Sequence, residues 1–169
     1  METEPLLYRG INSQIYSFAR IIEPGKLLLD DHAVISDFCF VMAGITTKIG
    51  KYSRLAPYSM ITGGGEAYIH DYVDISYGVK IITGSDAVYD GYLSLPNVDP
   101  ESRKIKRQRV EIHNYAYIGI NTIIYPGVNI GEGAITEPNT IVKSNLEPWT
   151  VYGGAECKKL GMRKQFFEK

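Results

Sequence analysis

The sequence predicts an all-β domain built as a triangular parallel β-helix, and two observations support this fold class. The first is a six-residue repeat of bulky residues. Counted in sixes from Leu29, Ile49, Ile69 and Ile112, fourteen of fifteen positions are Leu, Ile or Val, with Thr136 the exception. The second is that the residue four places later is Ser, Thr, Ala or Val in eleven of fifteen cases. One bulky and one small inward residue per unit is typical of short strands wound into a solenoid.

The repeat divides the chain into three parts. Residues 1–26 are expected to be an irregular N-terminal segment with a partial coil, residues 27–148 the β-helix, and residues 149–169 a tail. About five coils of three strands each are predicted, beginning near Leu29, Ile49, Ile69, Ile112 and Ile130.

One join in the repeat is much longer than six residues. Residues 86–109, called the excursion below, interrupt the pattern between Ile81 and Ile112. Long loops on rigid scaffolds often carry function, so the excursion is expected to contribute to a site.

The last residues suggest a different element. Basic residues separate Cys157, Leu160, Met162, Phe166 and Phe167, a pattern that predicts a short helix beginning near Glu156. Such a helix would cap the open end of the solenoid.

Composition excludes several classes of protein. Eighteen Lys and Arg against nineteen Asp and Glu give a net charge of -1, which argues against nucleic-acid binding. Two cysteines exclude a disulfide framework. The apolar runs are shorter than the ~20 residues of a membrane span, and the N-terminus lacks the features of a signal peptide. We therefore expect a cytoplasmic protein without a membrane span.

The segment from Ile118 to Ala134, IGINTIIYPGVNIGEGA, resembles the hexapeptide-repeat acyltransferases, as do NLEPW at residues 145–149 and VYGG at residues 151–154. Within them the chain is most similar to the dTDP-4-amino-4,6-dideoxyglucose acyltransferases, which carry L-E-P-W-G-I-Y-x-G and a G-S-D-D segment. The resemblance implies left-handed coils, a homotrimer with active sites between subunits, and acyl transfer from acetyl-CoA to a sugar.

The start of the excursion is where the family's O-acetylating members place a histidine as general base. Residues 84–92 contain no histidine here, and Gly78 stands at a position where those members carry asparagine. Asp86 matches the first aspartate of the G-S-D-D segment and is the leading catalytic candidate, with Asp90 and Tyr92 as secondary substrate-binding candidates. The alternative is that Asp86 caps the turn through its own backbone.

Two histidines offer other candidates for a catalytic base. His70 and His113 each follow the first bulky residue of a coil, so neighbouring coils would bring them about 4.8 Å apart. The alternative is an exposed pair at a corner or at a subunit interface. Because the histidine spacing lacks the close pair of β-helix carbonic anhydrases, we expect no metal, and a metal-dependent hydratase is a distant rival.

The resemblance also assigns the acyl-CoA contacts. Gly119 and Ile120 fall in the segment whose backbone amide polarises the thioester carbonyl. Lys143, Lys158 and Arg163 match the basic residues that bind the CoA phosphates, although each could also belong to a solvated basic surface.

Two further patterns complete the candidates. Tyr52, Tyr72 and Tyr115 share one position in their coils and predict an aromatic ladder, of which Tyr115 is the candidate for sugar contact. Residues 103–109 contain five basic residues in seven, of which Arg107 is the candidate for a nucleotide-sugar diphosphate.

These patterns together predict an acetyl-CoA-dependent transferase that N-acetylates a nucleotide-linked amino-deoxysugar for surface glycan synthesis. One alternative is O-acetylation of a sugar or polysaccharide hydroxyl. The other is a β-helix that binds or organises partners without catalysis.

Overall fold

The six-residue repeat folds into stacked three-stranded coils in the computed structural model, which describes residues 5–165. Corresponding strands of successive coils pair in parallel, so three sheets form the three faces of a prism. The architecture is the left-handed parallel β-helix that the sequence predicts.

The strands of coils one to three are β1 (Tyr8–Arg9), β2 (Gln14–Ile15), β3 (Arg20–Ile22), β4 (Leu27–Leu29), β5 (Val34–Ile35), β6 (Phe40–Met42), β7 (Thr46–Ile49), β8 (Arg54–Leu55) and β9 (Met60–Thr62). Coil four and the hairpin that follows it contain β10 (Glu66–Ile69), β11 (Asp74–Ile75), β12 (Lys80–Ile82), β13 (Gly84–Asp86) and β14 (Ile105–Arg107). Coils five and six and the C-terminal part contain β15 (Val110–Ile112), β16 (Tyr117–Ile118), β17 (Ile123–Ile124), β18 (Asn129–Ile130), β19 (Ile135–Thr136), β20 (Ile141–Val142), β21 (Thr150–Gly153) and β22 (Lys158–Met162).

The faces and corners take their names from this order. The first, second and third strand of every coil belong to the first, second and third face. The first corner joins the first and second faces, the second corner joins the second and third, and the third corner leads into the next coil.

The bulky repeat fills the interior. All fifteen of its positions are at most 2% exposed. Burying each aliphatic side chain contributes roughly 1.5–3 kcal/mol, which makes this column the main stabilising feature of the fold. Thr136, the exception to the repeat, is also fully buried, and its hydroxyl accepts a hydrogen bond from the Gly119 N–H at 3.0 Å.

The predicted aromatic ladder lies along the first corner. The ring centroids of Tyr52 and Tyr72 are 5.1 Å apart, and those of Tyr72 and Tyr115 are 5.4 Å apart. His32 extends the stack at one end and Trp149 at the other. The three tyrosines have φ between 57° and 62°, a left-handed conformation that the corner turn imposes.

The N-terminal segment is more regular than the sequence analysis expects. Strands β1 to β3 form a complete coil in register with the next, pairing Arg9 with Leu29 and Ile15 with Ile35. The described chain therefore has six complete coils and a partial seventh, rather than about five. The prediction missed the first coil because Arg9 occupies a position that is bulky and aliphatic in every later coil.

The predicted C-terminal helix is wrong for the described residues. Strand β22 turns back and pairs antiparallel with β21. A helix there would leave the edge of β21 without backbone partners, and the returning strand satisfies them. Phe166 and Phe167 lie outside the described residues. Within residues 5–165, no helix has the length and apolar composition needed to cross a bilayer.

Candidate active site

The excursion leaves the β-helix at the third corner of coil four. Strand β13 pairs antiparallel with β14, placing Asp86 opposite Ile105, and the Ala87 N–H donates to the Lys104 carbonyl at 2.8 Å. This stem fixes the backbone of Asp86 directly after the last strand of the coil. The excursion is therefore anchored at its base.

The side chain of Asp86 is held by an arginine. Arg103 Nε donates to Asp86 Oδ1 at 2.8 Å, and Arg103 Nη2 lies 3.5 Å from Oδ2. Both side chains are more than two-thirds buried. A two-point contact of this kind orients the carboxylate. The catalytic candidate Asp86 is thus held in one orientation. The alternative role, in which Asp86 caps the turn, is not supported, because within residues 5–165 its carboxylate accepts no hydrogen bond from a backbone N–H.

A cavity of about 520 Å³ opens on one side of Asp86. Its walls include Met42, Gly63 and Gly84 from the third corner and Arg107 from β14. Arg107 also lines a smaller cavity of about 320 Å³. The Arg107 side chain therefore borders two cavities.

The glycines of this corner are needed for its close packing. A Cβ on Gly63 would lie 2.2 Å from the Gly84 backbone nitrogen, and Gly63 has a φ of 101°. A Cβ on Gly64 would lie 3.3 Å from Arg107 Nε. Side chains at these positions would fill the space that the guanidinium borders.

Four of the five basic residues between 103 and 109 have partners within the chain. Besides the pair of Arg103 with Asp86, these are the ion pair of Lys106 with Asp90, the contact of Lys104 with the Tyr92 ring, and the contacts of Arg109 with Glu66 and the Tyr68 ring. The bond from Lys106 lowers the pKa of the Asp90 carboxyl. Arg107 makes no ion pair within residues 5–165. Asp90 and Tyr92 brace the excursion, whereas Arg107 remains available to an anion.

A third cavity, of about 290 Å³, is also lined by Asp86. It is lined by residues of the excursion together with Tyr125 and Lys143. Lys143 Nζ lies 5.3 Å from the centre of the Tyr125 ring, on the outer surface of coil six. The fold thus brings the predicted CoA-binding Lys143 to the same edge as Asp86.

Gly119 and Ile120 lie at the second corner, at the opposite edge of the third face. The Gly119 N–H is bonded to Thr136, whereas the Ile120 N–H has no acceptor within residues 5–165. The equivalent residues of the neighbouring corner turns include Pro57 and Pro138, which have no N–H to offer. Ile120 can therefore present a free amide, as its predicted role requires.

Ser76 was not among the predicted site residues, and it lies on the neighbouring coil at the position equivalent to Gly119. Ser76 is 5% exposed, and its N–H donates to the Ile118 carbonyl at 3.0 Å. The sequence showed only a serine directly after the bulky Ile75, outside the small positions of the six-residue repeat. A Cβ on the adjacent Gly78 would lie 2.4 Å from Asn121 Oδ1, so Asn121 fills the space where the O-acetylating pattern has a side chain.

The basic residues of the tail lie elsewhere. Lys158 is paired with Glu156 at 2.8 Å, and both are about three-quarters exposed. Arg163 Nη1 donates to the carbonyls of Tyr115 and Gly133 at 2.6 and 2.9 Å, and desolvation lowers its pKa. Arg163 therefore fastens the tail to the first corner, and these contacts disfavour its predicted role at the CoA phosphates.

The two histidines and Tyr115 lie on the first face and at the first corner. The rings of His70 and His113 stack 4.9 Å apart, close to the expected spacing. They lie at the opposite edge of the first face from the corner where Asp86 leaves the coil. The tyrosine rings stack on one another, so Tyr115 presents mainly its edge, and its face is not an open platform for a sugar ring.

The predicted site residues are thus distributed over three edges of the prism. Asp86, Arg107 and Lys143 share the third corner, whereas Ile120 lies at the second and His70 near the first. A single chain does not bring these three groups together.

Comparison with known proteins gives consistent relatives. No family model matches the chain. The chain is 31% identical over 157 residues to a dTDP-4-amino-4,6-dideoxy-D-glucose acyltransferase of Escherichia coli, covering 92% of this chain and 82% of the relative. It is 23% identical to a putative lipopolysaccharide biosynthesis O-acetyl transferase, WbbJ, of the same species, covering 88% of this chain and 65% of that protein.

Solved structures agree with these relatives. The N-acyltransferase AntD of Bacillus cereus, in complex with dTDP and 3-hydroxybutyryl-CoA, matches with a TM-score of 0.88 at 30% identity. The match covers 94% of this chain and 84% of AntD. A variant of AntD in complex with dTDP-4-amino-4,6-dideoxyglucose and coenzyme A matches with a TM-score of 0.85 at 30% identity, covering 95% of this chain and 85% of AntD.

Proposed function

The chain belongs to the dTDP-4-amino-4,6-dideoxyglucose acyltransferase family of hexapeptide-repeat enzymes, and from this premise we propose that it acylates the amine of a nucleotide-linked amino-deoxysugar with acetyl-CoA as donor. The observation that carries the proposal is that Asp86 lines two cavities. Arg107 borders one of them and Lys143 the other.

The chemistry follows from this arrangement. The sugar amine attacks the thioester carbonyl, a C–N bond forms, the C–S bond breaks, and the departing CoA thiolate takes up the proton that the amine releases. Asp86 accepts a hydrogen bond from the amine and holds its lone pair toward the carbonyl. The free N–H of Ile120 stabilises the oxyanion of the intermediate.

The nucleotide-sugar diphosphate lies on Arg107 in this proposal. A guanidinium without an internal partner can form two parallel hydrogen bonds to phosphate oxygens. The adjacent glycines leave room for a large anion. Lys143 faces the acyl-CoA in the third cavity, which it lines together with Asp86.

The lack of a histidine at the start of the excursion favours an amine over a hydroxyl as acceptor. A hydroxyl needs a general base, and residues 84–92 contain no histidine. Several AntD structures are of variants at one aspartate and at one serine ten positions before it, which is the spacing of Ser76 and Asp86 here. This spacing supports both residues as parts of the site.

A homotrimer completes the site in this proposal. Because Asp86 and Ile120 lie on different edges of one chain, a neighbouring subunit must bring the amide of its own second corner to the excursion. The need for acetyl-CoA and a nucleotide sugar supports a cytoplasmic enzyme of surface-glycan synthesis.

The experiment that tests the proposal measures free-thiol release from acetyl-CoA. Acceptors are dTDP-4-amino-4,6-dideoxyglucose and the matched sugar with a hydroxyl at carbon 4. Asp86→Asn is compared with Asp74→Asn, because Arg54 holds the Asp74 carboxylate at 3.0 Å on the second face, away from the cavities. We expect turnover on the amine and a loss of roughly 10²-fold in Asp86→Asn only, because the neutral amide holds and orients the amine less firmly than the carboxylate does.

Other outcomes would change the assignment. Turnover on the hydroxyl sugar alone would support O-acetylation and make His70 and His113 the candidates for the general base. Binding of acetyl-CoA without turnover on either acceptor would support the non-catalytic alternative. A longer acyl donor, such as 3-hydroxybutyryl-CoA, tests whether the acyl group is larger than acetyl.

A further inference from the structure

Three potential metal ligands meet on the outer surface of the first face, away from the cavities around Asp86. The ligand atoms of His70, Glu111 and His113 all lie within 4.8 Å of one another. All three residues are half-buried. We propose that this cluster, called the His–Glu–His cluster below, binds a divalent transition metal ion such as Zn²⁺.

The strand geometry explains why these residues meet. Glu111 and His113 are two residues apart along β15 and its end, so their side chains project to the same side. His70 ends the neighbouring strand and donates its backbone N–H to the Ile112 carbonyl at 2.9 Å. Two ligands on one strand and a third on its neighbour therefore face one point in space.

The donor set suits zinc and its neighbours in the first transition series. Two imidazoles and one carboxylate form a common set of protein ligands for Zn²⁺, with a remaining position open to water. His70 Nε2 is already 2.9 Å from Glu111 Oε1. A tetrahedral zinc with bonds of about 2.0–2.1 Å separates its ligand atoms by about 3.3 Å. The existing contact thus has nearly the required spacing.

Binding requires one local adjustment. The planes of the His70 and His113 rings are 11° apart, so their nitrogen lone pairs lie in nearly parallel planes. The rings must turn toward each other by a movement on the order of 1 Å to share an ion. The His70 side chain is 40% exposed, which leaves it room to turn.

The expectation of no metal rests on the spacing of the histidines alone. The spacing of 43 residues between His70 and His113 gives no signal, and Glu111 enters the cluster only when coils four and five stack. These are the two coils that the excursion separates. A bound ion would therefore fasten them together where the chain connection is longest.

The test measures metal binding directly, without any activity assay. The chelator-treated protein is titrated with Zn²⁺ in a calorimeter and with Co²⁺ in a spectrophotometer. We expect saturation at one ion per chain, visible bands of tetrahedral Co²⁺, and a rise in Tm of roughly 5–10 °C at saturating Zn²⁺.

Substitutions locate the site. His70→Gln, His113→Gln and Glu111→Gln should each weaken binding by about 100-fold or more. His32→Gln should bind as the unchanged protein does, because His32 stacks in the aromatic ladder far from the carboxylate. Far-UV circular dichroism confirms that each variant is folded.

Either of two results would overturn the proposal. One is the absence of saturable binding to the unchanged protein. The other is binding that persists in folded His70→Gln and His113→Gln, which would place the ion elsewhere.

Discussion

Replacing Arg107 by methionine tests the arrangement of the third corner most sharply. Methionine keeps much of the side-chain volume and removes the charge. Because Arg107 has no ion pair within residues 5–165, the substitution breaks no ion pair there. It should therefore weaken the binding of the anion only. Charge-assisted hydrogen bonds contribute about 1.5–3 kcal/mol, which corresponds to a roughly 10- to 150-fold rise in KM for the nucleotide sugar.

A matched control lies two residues away. Arg109 already contacts Glu66 at 3.3 Å and the Tyr68 ring, and the Glu66 carboxylate raises its pKa. Arg109→Met should therefore have little effect on stability and leave KM unchanged, because exposed ion pairs contribute little.

The assay is steady-state thiol release with varied dTDP-sugar, supported by calorimetric titration of dTDP. Arg107→Lys should give an intermediate KM, because an ammonium keeps the charge but loses the planar two-point contact. The reasoning is refuted if Arg107→Met leaves KM unchanged, or if Arg109→Met raises it as much.

Three further predictions concern stability. Arg163→Ala should lower the free energy of unfolding by about 2 kcal/mol, because it removes two charge-assisted hydrogen bonds to backbone carbonyls. Calorimetry should give an unchanged Kd for CoA. A higher Kd in a variant of unchanged stability would support the predicted role of Arg163 at the CoA phosphates. Gly133→Ala should cost roughly 1–3 kcal/mol in urea unfolding, since φ is 63° and the new Cβ would lie 2.4 Å from the Trp149 ring; an unchanged midpoint would contradict this packing. The pKa of Asp31 is lowered by the Ile11 N–H and by Lys51, so its stabilisation is present above about pH 3.9 and is lost as the pH falls through the folded pKa. Asp31→Asn should therefore flatten the acid limb of stability against pH, and an unaltered limb would exclude this contribution.

The interior of the fold could be predicted because it depends on a local repeat. The inward direction of each bulky residue from Leu29 to Val142 could be inferred from another bulky residue six places away in the sequence. The spacing of stacked coils then followed from strand geometry, and it gave the separation of His70 and His113 to about 0.1 Å.

The ends of the solenoid could not be predicted in the same way. The first coil was missed at Arg9, although Ile15 and Ile21 continue the repeat with Ser13 and Ala19 at the small positions. The tail was predicted to be a helix because Cys157 and Leu160 are three residues apart, as on one face of a helix. Leu160 and Met162 are two residues apart, which is the spacing of one face of a strand. The backbone groups at the edge of β21 need hydrogen-bond partners, which a strand supplies, and this need cannot be read from the sequence.

The candidate site was predicted unevenly. Asp86 became the leading candidate because it matches the first aspartate of the G-S-D-D segment at the start of the excursion, and its catalytic role stays a prediction. Arg107 was chosen among the five basic residues, but the reason that sets it apart could not be predicted, since it depends on which acidic and aromatic groups the excursion folds against. Ser76 and Glu111 were missed because their surroundings exist only after distant coils stack.

The central claim is that this chain forms an amide on a sugar, and the most direct measurement is the identity of its product. The reaction of acetyl-CoA with dTDP-4-amino-4,6-dideoxyglucose is followed by mass spectrometry before and after mild alkaline treatment. The account predicts one added acetyl group that survives the alkali, as an amide does. An acetyl group lost in alkali would reveal an ester and contradict the account, as would an unmodified sugar in the presence of bound acetyl-CoA.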